Sequence, residues 1–186
     1  MPSRSASTRP RPQARWRASG RPRPPSAASF AINVTVGDVM SHSPITIGPD
    51  ATLLDALVLM RSHRISGLPV VDEIGKLVGV LSQRDIARIL KDEGGIPEVT
   101  GLFDLLMFGF QDDRGVNLET LRGILSGSNV RDAMSSPPVF VASDTSLELA
   151  ADMMRENEIN RIPVLRNGRL VGIFTRNDLV RALVHP

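Results

Sequence analysis

Gly75-Lys76-Leu77-Val78-Gly79-Val80-Leu81-Ser82-Gln83-Arg84-Asp85 recurs as Gly168-Arg169-Leu170-Val171-Gly172-Ile173-Phe174-Thr175-Arg176-Asn177-Asp178, an offset of 93 residues. Upstream, across a one-residue gap, the match continues at an offset of 94. Asp38, Met40 and Pro44 return as Asp132, Met134 and Pro138, and Asp50, Leu53, Ala56 and Met60 return as Asp144, Leu147, Ala150 and Met154. Ile65, Pro69 and Val70 return as Ile159, Pro163 and Val164. So many matches in one order establish an internal repeat, and a repeat constrains the fold before any single element does.

Both copies read alike. A short extended run (44–47; 139–141) precedes a helix whose N-cap is Thr52 or Ser146, with Asp55 completing a capping box in the first copy. Leu53, Ala56, Leu57 and Met60, like Leu147, Ala150, Ala151 and Met154, fall at i, i+3, i+4 and i+7, which makes one apolar stripe. Two apolar strands then follow, joined by Asp72-Glu73-Ile74-Gly75 or by Arg166-Asn167-Gly168, and so short a connection predicts a hairpin. A last helix begins at Ser82 or Thr175 and carries Ile86 and Ile89, or Leu179 and Leu183, on one face. The unit is β-α-β-β-α. At about 55 residues it buries too little surface to stand comfortably alone, so the two copies are expected to pack together.

The chain accordingly divides into a tail over 1–31, a first repeat over 32–90, a linking insertion with an apolar helix over 91–128 and a second repeat over 129–186. The tail is Pro, Ser, Ala and Arg with almost no large apolar residue, a composition expected to stay disordered. Residues 1–37 hold seven Arg and no Asp, Glu or Lys, and removing those seven charges from the formal +2 leaves −5 for the rest. The pI of 9.9 therefore describes the tail, while the folded part is mildly acidic. Three readings of the tail compete: an inert extension, which we favour, a transit peptide, or a polybasic arm for nucleic acid resting on charge alone. In the insertion, Gly94-Gly95-Ile96-Pro97 breaks the chain before the apolar stretch 101–110, and Leu118, Leu121 and Leu125 predict a short amphipathic helix. That insertion either folds back on the core or forms a dimer or partner surface.

Several function classes are excluded or weakened. The chain has no Cys, so it has neither disulfides nor a thiolate metal site, and His42, His63 and His185 match no metal-ligand spacing. Tyr is absent and Trp16 is the only Trp, which leaves few platforms for stacking bases. Neither a phosphate loop of the G-x-x-x-x-G-K-[S/T] kind nor a catalytic constellation is present, so no enzyme is expected. No apolar run approaches the roughly 20 residues of a membrane helix, so no membrane partner is expected.

The repeated string is similar to the cystathionine-beta-synthase (CBS) domain, as are the openings Asp38-Val39-Met40-Ser41 and Asp132-Ala133-Met134-Ser135, each followed by Pro44 or Pro138. The resemblance covers about three-fifths of the chain. It implies an α/β fold in which two β-α-β-β-α CBS repeats pack as a pseudo-symmetric Bateman module, with two clefts between them and a disordered N-terminal tail. It further implies a regulatory ligand, one of AMP, ADP, ATP or S-adenosylmethionine, with no cofactor required. The same resemblance implies a homodimer and an unknown regulated protein, in the cytoplasm unless residues 1–31 are a transit peptide. Nucleic acid is not expected as a partner. The alternatives are a nucleic-acid-associated protein using the Arg-rich tail, or a purely structural dimerisation module without ligand.

Site residues carry over position by position. Ser82 and Thr175 match the hydroxyl that contacts phosphate, and Asp85 and Asp178 match the carboxylate that holds the ribose hydroxyls. Ile65, Ser66, Gly67 and Leu68, like Ile159, Asn160, Arg161 and Ile162, match the segments whose backbone reads the adenine edge, and Thr46 and Phe140 lie on the strand lining the adenine slot. His63 and Arg64 resemble basic phosphate contacts in the gamma subunit of AMP-activated protein kinase. The second repeat has Asn157 and Glu158 there, but offers Arg161 where the first has Gly67, so the clefts are expected to differ in charge. Physics allows the same roles. A hydroxyl at the first turn of a helix meets free backbone N–H groups and the positive end of the dipole, and a carboxylate three residues on can accept from a ribose diol. S/T-x-x-D is equally a plain capping box, and the sequence leaves both readings standing.

Overall fold

The computed structural model describes residues 34–93 and 118–184. The expectations for the tail 1–31 and for the apolar stretch 101–110 lie outside the described residues.

The elements follow from local chemistry. Helix α1 (Val36–Val39) leads to strand β1 (Ser41–His42), and α2 (Leu53–His63) begins at the predicted cap. The Asp55 N–H donates to Thr52 Oγ1 at 3.0 Å while the Thr52 N–H donates to Asp55 Oδ2 at 3.2 Å, so two otherwise orphaned donors are satisfied. Leu53, Ala56 and Met60 are wholly buried on the expected stripe, and the helix stops where Arg64 turns left-handed. Strands β2 (Gly67–Val71) and β3 (Leu77–Ser82) form the antiparallel hairpin. Asp72 builds its turn, its carboxylate accepting from the Lys76 N–H at 2.8 Å. Along β3, buried Leu77, Gly79 and Leu81 alternate with half-buried Val78, Val80 and Ser82, the period a one-sided strand requires. Helix α3 (Gln83–Asp92) follows without a break.

Helix α4 (Leu118–Gly127), the described part of the insertion, lies on α2 and α3. Its Leu121 and Leu125 are almost fully buried in the core of the first repeat, so this helix folds back, the first of the two readings its periodicity left open. The second copy supplies α5 (Val130–Ala133), β4 (Val141–Ala142), α6 (Leu147–Glu156), β5 (Arg161–Arg166), β6 (Arg169–Thr175) and α7 (Arg176–Val184). The architecture is the α/β repeat pair, with a β2-β3 sheet and a four-stranded sheet in the order β1-β6-β5-β4.

That strand order contains an exchange. Ser41 of β1 pairs with Ile173 of β6, in the other half of the chain, and reciprocally Ser135 bridges Val80 of β3. The second link consists of two backbone hydrogen bonds, Val80 N to Ser135 O at 3.1 Å and Ser135 N to Val80 O at 2.9 Å. Each crossing needs a glycine beneath it. A Cβ on Gly79 would collide with the Met134 thioether, and one on Gly172 with that of Met40, which is why the repeated string keeps glycine at this position. The cores follow the crossing: Val130 and Ala133 complete the core of the first repeat, whereas Val36 and Met40 complete that of the second.

Two local expectations shift. The extended run over 44–47 shrinks to one parallel bridge, Ile47 to Val70, because this stretch carries the chain from β6 of one repeat to β2 of the other, with Ser43 at positive φ. Its counterpart over 139–141 shortens likewise, keeping only Val141, which opens β4 parallel to β5. On α3 the innermost pair is Ile86 and Leu90, i and i+4, with Ile89 only half-buried, and on α7 Leu183 is 65% exposed. In the first repeat α4 covers this side; among the described residues no helix does so in the second.

Truncating Leu121 to Ala should therefore destabilise the fold by about 2–4 kcal/mol, the usual cost of a buried leucine cavity. Ile74→Ala, on the exposed hairpin turn, should cost less than about 0.5 kcal/mol. Urea unfolding of both variants checks this, and equal midpoints would show that α4 does not seal the core.

Candidate ligand clefts

Both candidate sites begin where a hairpin strand runs straight into a helix. In the first, Asp85 Oδ2 accepts from the Ser82 N–H at 2.8 Å and from Ser82 Oγ at 2.5 Å. In the second, Asp178 Oδ2 accepts from the Thr175 N–H at 2.9 Å and from Thr175 Oγ1 at 2.6 Å, while the Asp178 N–H donates to Thr175 Oγ1 at 3.3 Å. The capping role of the motif is thus real in both copies. It uses only one oxygen of each carboxylate: among the described residues, Oδ1 of Asp85 and of Asp178 makes no hydrogen bond. A fixed carboxylate at a helix start with one oxygen outside the cap can serve as cap and acceptor at once.

The loop before each hairpin is tied to the same helix start. The Gln83 N–H donates to Ser66 O at 3.2 Å, and at the matching place the Arg176 N–H donates to Asn160 O at 3.0 Å. Around the first start the structure gathers Ser66, Gly67, Ser82, Asp85 and, from the other repeat, Arg161. The Arg161 guanidinium donates to Ser66 Oγ and rests on Gly67, where an added Cβ would lie 2.6 Å from the Leu81 carbonyl oxygen and 2.8 Å from Arg161 Cζ. Burial lowers the pKa of Arg161, and the charge of Asp85 acts against that shift. Gln83 Nε2 is buried without a hydrogen-bond partner among the described residues.

The other candidates sit as follows. Leu68 and Ile162 are fully buried in the two cores, so only their backbone could meet a ligand. Ile65 and Ile159 are half-buried, and their N–H groups close the preceding helices onto Met60 and Met154 at 2.9 Å. Thr46 is half-buried beside the Ile47 bridge, and Phe140 is 50% exposed just before β4. His63 and Arg64 are exposed at the end of α2, and no hydrogen bond joins them to the cleft residues. Asn157 and Glu158 stand exposed at the matching end of α6. Sequence reading named Ser66 only for the backbone of its segment, not for the side chain that receives Arg161. The available signal was the alignment of Gly67 with Arg161, since a side chain missing on one side of a pseudo-two-fold leaves room for a long one from the other.

No helix among the described residues is long and apolar enough to cross a membrane, and no group of His, Cys, Asp and Glu among them could hold a metal ion.

This geometry agrees with what the chain resembles. The sequence model of the CBS domain matches residues 36–92 and 130–185. An uncharacterized protein of Methanocaldococcus jannaschii, MJ1426, is 33% identical over 154 residues, covering 80% of this chain and 90% of that one. The chloroplastic CBS domain-containing protein CBSX1 of Arabidopsis thaliana is 35% identical over 154 residues, 80% of this chain and 63% of that one. Among solved structures, CBSX2 in complex with AMP superposes with a TM-score of 0.59 at 31% identity, covering 81% of this chain and 96% of that one. Two matches to the domain, in tandem and on the two halves that exchange their opening segments, make the chain a member of the CBS domain family, a CBS pair of the Bateman type.

Proposed function

We propose that this CBS pair is a regulatory module that binds an adenosyl ligand, one of AMP, ADP, ATP or S-adenosylmethionine, at the starts of α3 and α7 and passes its occupancy to a partner protein. The carrying observation is the duplicated strand–hydroxyl–helix cradle, Ser82 with Asp85 and Thr175 with Asp178, in which each carboxylate keeps one oxygen unbonded among the described residues. The likeness to CBSX2, whose structure holds AMP, supports the ligand class. Thr46, Ile65, Gly67, Leu68, Phe140, Ile159 and Ile162 supply the backbone and edges of the base slots, and His63, Arg64 and Arg161 the cations for phosphate. We read the role as binding and not turnover, since in each cradle the hydroxyl and its neighbouring carboxylate are joined as a helix cap.

The partner surface we favour is α7, where Val180, Leu183 and Val184 are 51%, 65% and 64% exposed at i, i+3 and i+4. A homodimer through it would bury Leu183, whose counterpart in the first repeat, Leu90, is wholly covered. The compartment rests on residues 1–31: cytoplasmic if they are an inert extension, organellar if they are a transit peptide.

Asp178→Ala separates cap from ligand site. Loss of the cap should lower stability by about 1 kcal/mol. Loss of a ribose acceptor should weaken adenosyl-ligand binding by about 1.5–3 kcal/mol, roughly tenfold to a hundredfold in Kd. Titration calorimetry on folded Asp85→Ala and Asp178→Ala proteins decides, and wild-type affinity for AMP, ATP and S-adenosylmethionine in both would reduce the motif to a cap. In light scattering the chain should run at about twice its mass of 20.2 kDa. Leu183→Glu should return it to a monomer, because the interface would then bury an unpaired charge.

A further inference from the structure

Resting on the adenosyl reading above, the inference concerns which ligand each cleft takes. The two helix starts are alike in backbone and hydrogen bonding but not in charge. Beside the first, α2 ends in Arg61, His63 and Arg64, all exposed, and the bond from Gln83 N to Ser66 O holds the next residues of that loop against the start of α3. Arg84 is exposed on the first turn of α3. The Arg161 guanidinium then crosses from the second repeat onto Ser66 and Gly67, within the electrostatic reach of Asp85, and among the described residues no carboxylate closes an ion pair with it.

At the second start the cations thin out. The matching helix end carries Arg155, Glu156, Asn157 and Glu158, and Arg155 is held by Asp152 at 2.7 Å. Glu158 occupies the left-handed position that Arg64 has in the first repeat. Where Arg161 crosses in one direction, Gly67 has no side chain to cross in the other. Arg176 is the cation of the first turn, and Asp178 is 5% exposed, the single buried charged residue among those described. Around the second start the helix end and first turn thus carry Arg155, already paired with Asp152, and Arg176 against Glu156, Glu158 and Asp178, whereas the first has Arg61, Arg64, Arg84 and the crossing Arg161 against Asp85.

We propose that the clefts divide ligands by charge: the first takes a phosphorylated adenosine, and the second takes a neutral or cationic adenosyl compound of the nucleoside or sulfonium type. Arg161 is the discriminating group. Its guanidinium already sits partly buried on Ser66 and on Gly67, the strand partner of Ser82, so a phosphate arriving there gains a charge-assisted pair without first recruiting the cation.

Titration calorimetry on the full chain tests this with ADP, adenosine and S-adenosylmethionine as probes. ADP and S-adenosylmethionine should bind together, one of each per chain, without competing. Asp85→Asn should lower the ratio of ADP affinity to S-adenosylmethionine affinity by roughly tenfold or more, and Asp178→Asn should raise it as much. Arg161→Gln should weaken ADP roughly five- to tenfold while adenosine changes less than about twofold. Should Arg161→Gln fail to fold, the exposed Arg64→Gln reports the same selectivity with a smaller shift. Competition of the two probes for one cleft, or a greater loss of ADP in Asp178→Asn than in Asp85→Asn, overturns the charge division and leaves adenosyl binding standing. If the wild-type chain binds none of the three probes, the adenosyl reading fails and this inference with it.

Discussion

Two short backbone crossings hold the rest of the molecule in place. Ser41 pairs with Ile173 and Ser135 with Val80, each crossing lying over a glycine and each bringing a methionine down onto the opposite hairpin. The hydrogen bonds themselves are worth on the order of 1 kcal/mol each. Their larger effect is to deliver Val36 and Met40 to one core and Val130 and Ala133 to the other. Removing either repeat would strip fully buried side chains from the one that remains. Units of this size bury little enough surface that the loss is decisive, so the pair should unfold as one body. Both helix starts are therefore fixed to a common frame.

Within that frame, exact symmetry is untenable at one point. Positions 67 and 161 are equivalent in the repeat and meet each other in space. Two arginines there would set like charges together in a half-buried place, and two glycines would leave a void. One glycine and one arginine fill the space with a single charge, and that charge must lean to one side. It leans toward Ser66 and Asp85. The chemical difference between the clefts is thus a consequence of packing at the pseudo-two-fold, and it would persist even if the exposed charges around each rim were exchanged.

How far the sequence could be read follows the same physics. Caps, stripes and hairpins depend on neighbours three or four residues away, and Thr52 with Asp55, Leu53 with Ala56 and Met60, and the alternation along β3 were all legible. The paired S/T-x-x-D starts were legible as well, as was the contrast between Gly67 and Arg161. The exchange was not, because alternation tells which face of a strand is buried and not which strand lies beside it. Ser41 and Ser135 give no sign of a partner in the other half of the chain. The run over 44–47 looked like a strand because its residues favour one, and only the need to pass from β6 to β2 reduces it to a bridge. Ser66 was read for its backbone alone, since its side chain's role lies in receiving one from 95 residues away. For α4, the period of Leu121 and Leu125 showed one apolar face without showing what that face would meet.

The placement of α3 and α7 relates the clefts to the surface. Each helix starts at the hydroxyl and carboxylate of a candidate site and runs out to the apolar side that α4 covers in the first repeat. Nine residues of helix span only about 13 Å, so Asp178 and the exposed Val180, Leu183 and Val184 ride on one short rigid rod. A ligand that tightens the first turn of α7 needs no long chain of intermediaries to alter the stripe at its other end. On α3 the corresponding end is sealed by Leu121 and Leu125, so a similar shift there would be resisted by a packed core. Under the proposed function, the second repeat would be the half through which occupancy reaches a partner, and the first the half held still. Coupling of this kind requires that the ligand favour one of two positions of α7, since binding that is indifferent to the helix would transmit nothing.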